Sequence, residues 1–385
     1  MPSSPTYDVI VAGLGAMGSA TAYQLARRGR RVLGLDRFTP PHTRGSTHGH
    51  TRIIRTAYWD DPSYVPLVGR AYESWRELEA ASGQRLLFPA GALYLGGTDS
   101  ALVAGARTSV QLHGIPYEEL SAAGVIRHAP ALQPTPDTVA IWEPEAGLVL
   151  PELAVTSFLS LAARSGADIH VEEPLLQWTP TGDGVAVTTP RGTYHADRLV
   201  LAVGPWMSQL VPDLGVALTV ERQVMHWFRP KATVPGLAPD RVPSFMWEYE
   251  PGHIWYSTPD MGDGLKAGIH HDGDTTAPDT VQRDVSDSDI ARVSSLIERF
   301  IPDANPAPVA SAVCLYTDTP DGHFVIDSHP RHPAVLIASP CSGHGFKFAP
   351  LIGEIMADLA VDGHTSIDLS LFRIARSGRP LPTAH

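Results

Sequence analysis

The chain has 385 residues, too many for one ordinary hydrophobic core and about the length of two domains. Hydrophobic residues at 43% and charged residues at 18%, with no low-complexity run, exclude a disordered chain. Lys plus Arg number 29 against 41 Asp plus Glu, and the resulting net charge of −12 disfavours nucleic acid and anionic membranes as partners.

No segment approaches the ~18 consecutive apolar residues of a membrane span. The opening Met1-Pro-Ser-Ser-Pro-Thr-Tyr-Asp8 has no basic stretch followed by an apolar one, so the expectation is a cytoplasmic protein without a membrane anchor. Two cysteines, Cys314 and Cys341, exclude a disulfide framework and fit a reducing compartment.

In chain order, Tyr7 to Ala12 is a short β-branched apolar run and predicts a buried strand. It enters Gly13-Leu-Gly15-Ala-Met-Gly18, after which Ser19 to Arg28 predicts a helix stopped by Gly29. Arg31 to Asp36 predicts a second strand and completes a β-α-β unit. The polar stretch from Pro40 to Thr51 reads as a loop, and Val68, Ala71, Tyr72, Trp75 and Leu78 recur at helical spacing. Pro151 to Ala163 predicts a helix and Asp168 to Val171 a strand. Leu175–Trp178, Val185–Thr189 and Thr193–Ala196 predict an antiparallel meander, followed by a buried strand from Arg198 to Gly204.

Residues 213–309 change character: tryptophans, tyrosines, prolines and alternating runs predict a largely antiparallel sheet with one helix near Ser286 to Phe300. The last segment restores the first style, with a strand at Ala334 to Ala338, a loop from Ser339 to Lys347, and a helix carrying Leu351, Ile352, Ile355, Met356 and Leu359. The nucleotide domain is therefore expected to be assembled from the start, middle and end of the chain.

Gly13-x-Gly15-x-x-Gly18 follows a strand, opens a helix, and precedes an acidic residue, Asp36, at the end of the next strand. The glycines allow a tight turn and close approach of a pyrophosphate to the positive helix N-terminus, and Asp36 can accept bonds from ribose hydroxyls. This predicts dinucleotide binding but does not separate FAD from NAD.

Five further motifs are distinctive: Pro40-Pro-His-Thr-Arg44-Gly-Ser46; Gly49-His-Thr51-Arg52-Ile-Ile-Arg55; Gly264-Leu-Lys266 with Gly268; the stretch from Ala310 through Cys314-Leu-Tyr316-Thr to Asp327; and Ser342-Gly343-His-Gly345-Phe-Lys347-Phe348. Together, over Tyr7 to about Arg376, they resemble the monomeric sarcosine oxidase and N-methyltryptophan oxidase family of FAD-dependent amine oxidases. The fold implied is α/β: a Rossmann-type FAD-binding domain (1–84, 148–212 and 310–385) with a second α+β substrate domain on an antiparallel sheet (85–147 and 213–309).

The resemblance implies FAD joined covalently through Cys314, with Arg44, Ser46, Thr51 and Arg52 beside it, and backbone approach at Gly343 and Gly345. It implies that Lys347 and Arg55 hold the substrate carboxylate, with Arg52 as a second cation nearby, and that Lys266 assists the reaction with oxygen. Tyr256, His270 and Tyr316 would shape the substrate pocket. The activity implied is oxidation by O2 of a small secondary amino acid, sarcosine or a related N-methyl amino acid, by a monomer. The alternatives are a cyclic imino acid or biosynthetic intermediate as substrate, an NAD-dependent dehydrogenase, and a flavin-binding protein without turnover.

The chain departs from the family at Thr47-His48-Gly49-His50, where an acidic residue before Arg52 is lost, and at Cys341, which replaces a large apolar residue. His48-x-His50 and His270-His271 lack Cys, Asp or Glu at convincing ligand spacing, so no metal is expected.

Overall fold

The structure, a computed structural model, describes residues 6–376. Met1 to Pro5, part of the opening stretch read for a leader, lies outside them. Among the described residues no helix is long and apolar enough to cross a membrane.

The run at the start of the chain forms the strand Thr6–Ala12, whose last four residues are buried. It lies in an eight-stranded sheet between two parallel neighbours, Val32–Leu35 and Gly192–Leu201. Asp168–His170 extends the sheet beyond Val32–Leu35, and His332–Ser339 adds a further parallel strand beside Gly192–Leu201. The start, middle and end of the chain thus share one sheet. Helix Ala16–Arg27 crosses helices Pro151–Arg164 and Ala349–Val361 on one face of it. A Cβ on Gly353 would fall 2.7 Å from the backbone of Ala20, so that crossing depends on a glycine.

A second, nine-stranded sheet carries the inserted segments. Its longest ribbon pairs Thr219–Pro230 with Ala304–Asp318, setting Cys314 opposite Gln223 and Tyr316 opposite Glu221. His253–Thr258 and Leu265–His270 follow as antiparallel neighbours. Helix Asp287–Phe300 opens on a reciprocal cap: Ser286 Oγ accepts from the Asp289 backbone, and the Asp289 carboxylate accepts from the Ser286 backbone. Val293, Leu296, Ile297 and Phe300, at helical spacing, bury one face among Trp247 and Trp255. A third, three-stranded sheet joins Arg52–Ile54, Leu87–Pro89 and Gly147–Val149.

Four details differ from the sequence reading. The first helix starts at Ala16 because Gly15 is its N-cap. Thr193–Ala196 and the run after it are one strand, Gly192–Leu201. Helices Ala101–His113 and Ala122–His128 occupy part of 85–147 where no element was predicted. Residue 310, the expected boundary, falls inside the strand Ala304–Asp318, which pairs within the nine-stranded sheet to its last residue.

Candidate active site

A cavity of about 600 Å³ runs from the glycine-rich turn, between the two large sheets, to the loop around Lys347. At its first end Gly13 sits at φ 85°, and a Cβ there would lie 2.5 Å from Ala202 O. A Cβ on Gly18 would lie 1.7 Å from Gly13 O, so this residue permits the close packing of helix on turn. Gly15 is different: its nearest neighbour would be Thr47 Oγ1 at 3.5 Å, leaving an open approach to the helix N-terminus. Asp36 is buried, accepts from Leu14 N at 2.7 Å and Phe38 N at 2.8 Å, and lines the cavity. Its carboxylate therefore pins the turn while keeping lone pairs for a ribose.

Farther along, period-2 alternation puts Cys314 and Tyr316 on one face of their strand. Cys314 is a free thiol, 3% exposed, in the cavity wall. Burial pushes its pKa up, and the guanidinium of Arg52 pulls it back. Arg52 Nη2 lies 3.8 Å from Cys314 Sγ and donates to Ser46 O at 3.0 Å, while Ser46 Oγ donates to Leu315 O at 2.6 Å. Lys266, 2% exposed, reaches across from its strand to donate to Gly49 O at 3.0 Å and to Thr51 O. Burial, then Arg52, holds its ammonium well below the usual lysine range.

At the far end Arg55 and Lys347, each 5% exposed, share the ring of Tyr58: Arg55 Cζ is 4.5 Å and Lys347 Nζ 5.3 Å from its centroid. Arg55 pairs with Asp60 at 3.1 Å. Lys347 donates to His344 O at 2.6 Å and pairs with no carboxylate among the described residues. Burial, then Arg55, lowers its pKa well below the ordinary value. The Tyr58 hydroxyl bonds His344 Nδ1, and the buried Glu143 accepts from Thr56 N, Ala57 N and Tyr94 OH, fixing the backbone just after Arg55.

His270 Nδ1 lies 3.2 Å from Tyr316 OH, and burial, then His271, keeps His270 neutral. Gly343, at φ 74°, packs against both: a Cβ would fall 2.7 Å from His270 Cε1 and 2.8 Å from Tyr316 Cε2. A Cβ on Gly268 would likewise strike Tyr256 OH at 2.7 Å. Two glycines thus make room for the side chains beside them.

Comparison with known proteins matches residues 8–359 to the family described as FAD dependent oxidoreductase. The chain belongs to that family. It is 45% identical over 373 residues to the monomeric sarcosine oxidase of Streptomyces avermitilis, covering 96% of this chain and 97% of that one. It is 35% identical over 372 residues to the N-methyl-L-tryptophan oxidase of Salmonella heidelberg, covering 96% and 99%. Among solved structures, NikD, an unusual amino acid oxidase essential for nikkomycin biosynthesis, is similar with a TM-score of 0.87, 27% identity, and coverage of 98% of this chain and 99% of that one.

As an FAD-dependent oxidoreductase the chain presents a cavity that fits its cofactor: an open helix N-terminus at Gly15, an acceptor at Asp36, and at Gly343 a place that a Cβ would fill. Gly13, Gly15, Asp36, Ser46, Arg52, Arg55, Tyr256, Lys266, His270, Cys314, Tyr316, Gly343, Gly345 and Lys347 are all in the wall. Arg44 is not. Its side chain is exposed, and its backbone is spent on His42 and Arg283, so the loop turns it outward. Thr51 and Gly18 also lie outside the wall and act through their backbones, Thr51 by holding Lys266.

Arg52, expected as a second cation for the substrate, touches the sulfur of Cys314 instead of Asp60 or Tyr58. Sequence reasoning missed Tyr58, Trp59, Asp60, Glu143 and His344; His344 sits inside a motif already singled out, while the others carry no local pattern. One set of potential metal ligands exists among the described residues: Glu221, His271 and Asp318 bring three atoms within 4.8 Å of one another. His271 Nδ1 is 3.2 Å from Glu221 Oε2, and burial pushes the Asp318 carboxyl up to about 7, opposed by His271 and assisted by Glu221.

Proposed function

We propose that the protein oxidises a small secondary amino acid, sarcosine or a related N-methyl amino acid, with O2 as acceptor. The observation that carries this reading is the pair of buried basic side chains at the far end of the cavity. A buried ammonium without a carboxylate is costly, and Lys347 beside Arg55 offers a site for the carboxylate of a ligand.

FAD bound there would supply a two-electron acceptor for the amine's C–H bond, with O2 as the final acceptor giving hydrogen peroxide and the imine product hydrolysing in water. The chain's residues do the rest. Gly15 and Asp36 would hold the pyrophosphate and ribose, and Cys314 is the residue that would carry the flavin covalently. Arg52 lowers the cost of the Cys314 thiolate needed for attachment. Arg55 and Lys347 orient the amino acid by its carboxylate. His270 and Tyr316 flank it, and a neutral imidazole beside the nitrogen favours the uncharged amine, the form with a free lone pair. Lys266, in its charged form, would offer a cation where oxygen acquires negative charge.

The test is peroxide formation in air. Sarcosine, N-methylated larger amino acids, L-proline and L-pipecolate form the panel, with methylamines lacking a carboxylate as controls. Turnover of at least one amino acid and none of the controls supports the reading; the reverse pattern rejects it.

A further inference from the structure

The chain has eight tryptophans. Trp75, Trp178 and Trp206 donate their indole N–H to Lys347 O, Leu210 O and Asp279. Trp142, Trp227, Trp247 and Trp255 have ring partners in His128, His50, Phe300 and Phe245. Trp59 alone has neither among the described residues, yet it is partly buried and lines the cavity.

Its backbone is fixed on both sides. Tyr58 on one side stacks on Tyr64 with centroids 4.6 Å apart, and its carbonyl accepts from Ser109 Oγ. Asp60 on the other side pairs with Arg55. Helix Ala101–His113 presses so closely that a Cβ on Gly105 would lie 2.4 Å from Trp59 O. The indole N–H has no partner among the described residues, and the ring packs only against the apolar cluster beside it.

The same apolar cluster contains Ile53, Trp59, Met246, Ile254 and Tyr256, and all five line the cavity. Arg55 meets this cluster at Tyr94, with Cζ 5.9 Å from the ring centroid. Sarcosine has no substituent on its α-carbon that such a wall could bury.

We propose that Trp59 is a specificity-determining residue. Its indole and the adjoining apolar wall form a subsite for a hydrophobic side chain on the α-carbon of an N-methyl amino acid held by Arg55 and Lys347. This rests on the carboxylate clamp of the proposed function. The substrate class is N-methyl α-amino acids with large apolar or aromatic side chains.

The holoenzyme, W59F and W59A are compared by kcat/KM for sarcosine and N-methyl-L-phenylalanine. The unmodified enzyme is expected to prefer N-methyl-L-phenylalanine. In W59A the ratio of the two values should fall by roughly tenfold or more, chiefly through KM, and W59F should restore most of it. A scaffold role would lower both substrates in parallel. An unchanged ratio in W59A, or an unmodified enzyme that oxidises sarcosine but rejects N-methyl-L-phenylalanine, overturns the proposal.

Should W59A fail to fold, acetate and phenylacetate serve as probes on the unmodified holoenzyme, read by perturbation of the flavin spectrum. Phenylacetate binding at least about tenfold tighter than acetate is expected, and equal binding contradicts the subsite. If neither carboxylate binds, the clamp itself is wrong and the subsite falls with it.

Discussion

Arg52 and Cys314, 262 positions apart in sequence, meet with Nη2 3.8 Å from Sγ. The contact couples a loop motif near the start of the chain to a strand near its end. The guanidinium opposes the rise that burial imposes on the thiol, and only the thiolate is a nucleophile. Cys314→Ser should release all flavin into the acid supernatant after precipitation. Arg52→Met should leave a larger share of flavin extractable than in the unmodified protein. Complete release of flavin from the unmodified protein would remove the covalent assignment.

Lys266 owes its position to two carbonyls, Gly49 O and Thr51 O. Lys266→Met should slow the reaction of the reduced enzyme with oxygen by roughly 10²- to 10³-fold, the usual cost of losing one preorganised charge-stabilising group. Reduction by the amine should change less. Stopped-flow mixing of reduced enzyme with oxygen measures this, and an unaltered rate would contradict the role.

The proposed carboxylate clamp carries a pH signature. Burial and Arg55 lower the pKa of Lys347 well below the ordinary lysine value, so in the free enzyme its charge is lost at a lower pH than usual. A bound carboxylate favours the charged form, and binding must therefore weaken as pH rises through that lowered value. Dissociation constants for acetate, measured from the flavin spectrum, should rise with alkaline pH in the unmodified enzyme. Lys347→Met should bind about 100-fold less tightly and show no such rise, because a buried carboxylate loses its partner.

Asp318 predicts a stability effect. Its folded pKa of about 7 lies above the unfolded value near 4, so between the two the folded state keeps a proton that the unfolded state has released. Stability from this group is full below pH 4 and declines as pH rises toward 7. Glu221 titrates together with it. Urea unfolding from pH 4 to 8 should show Asp318→Asn gaining on the unmodified protein as pH rises to 7, then holding level. A difference that is flat across that range would refute the shift.

The glycine-rich turn was legible because everything it needs is local: a strand, three glycines and an acidic residue at a fixed distance. Cys314, Lys266, Arg55 and Lys347, which share the cavity wall, are singled out by the motifs around them. Tyr58, Trp59 and Asp60 were not, because they lie in a segment without periodicity and their roles arise from partners such as His344, 286 positions away from Tyr58. Arg44 misled for the opposite reason. It stands two residues from Ser46, but Arg283 binds its carbonyl at 2.6 Å and the loop turns its side chain to solvent. The strand that runs through residue 310 was not legible, because Ala304–Asp318 stays paired with Thr219–Pro230 across register shifts that carry no sequence signal.

Anaerobic mixing of the purified holoenzyme with N-methyl amino acids, and separately with the matching amines that lack a carboxylate, decides whether the substrate is recognised through its carboxylate. Flavin absorbance is the readout, which removes oxygen and Lys266 from the question and leaves substrate recognition by Arg55 and Lys347. Bleaching is expected with at least one N-methyl amino acid and with none of the decarboxylated amines. Bleaching by the amines alone would contradict it.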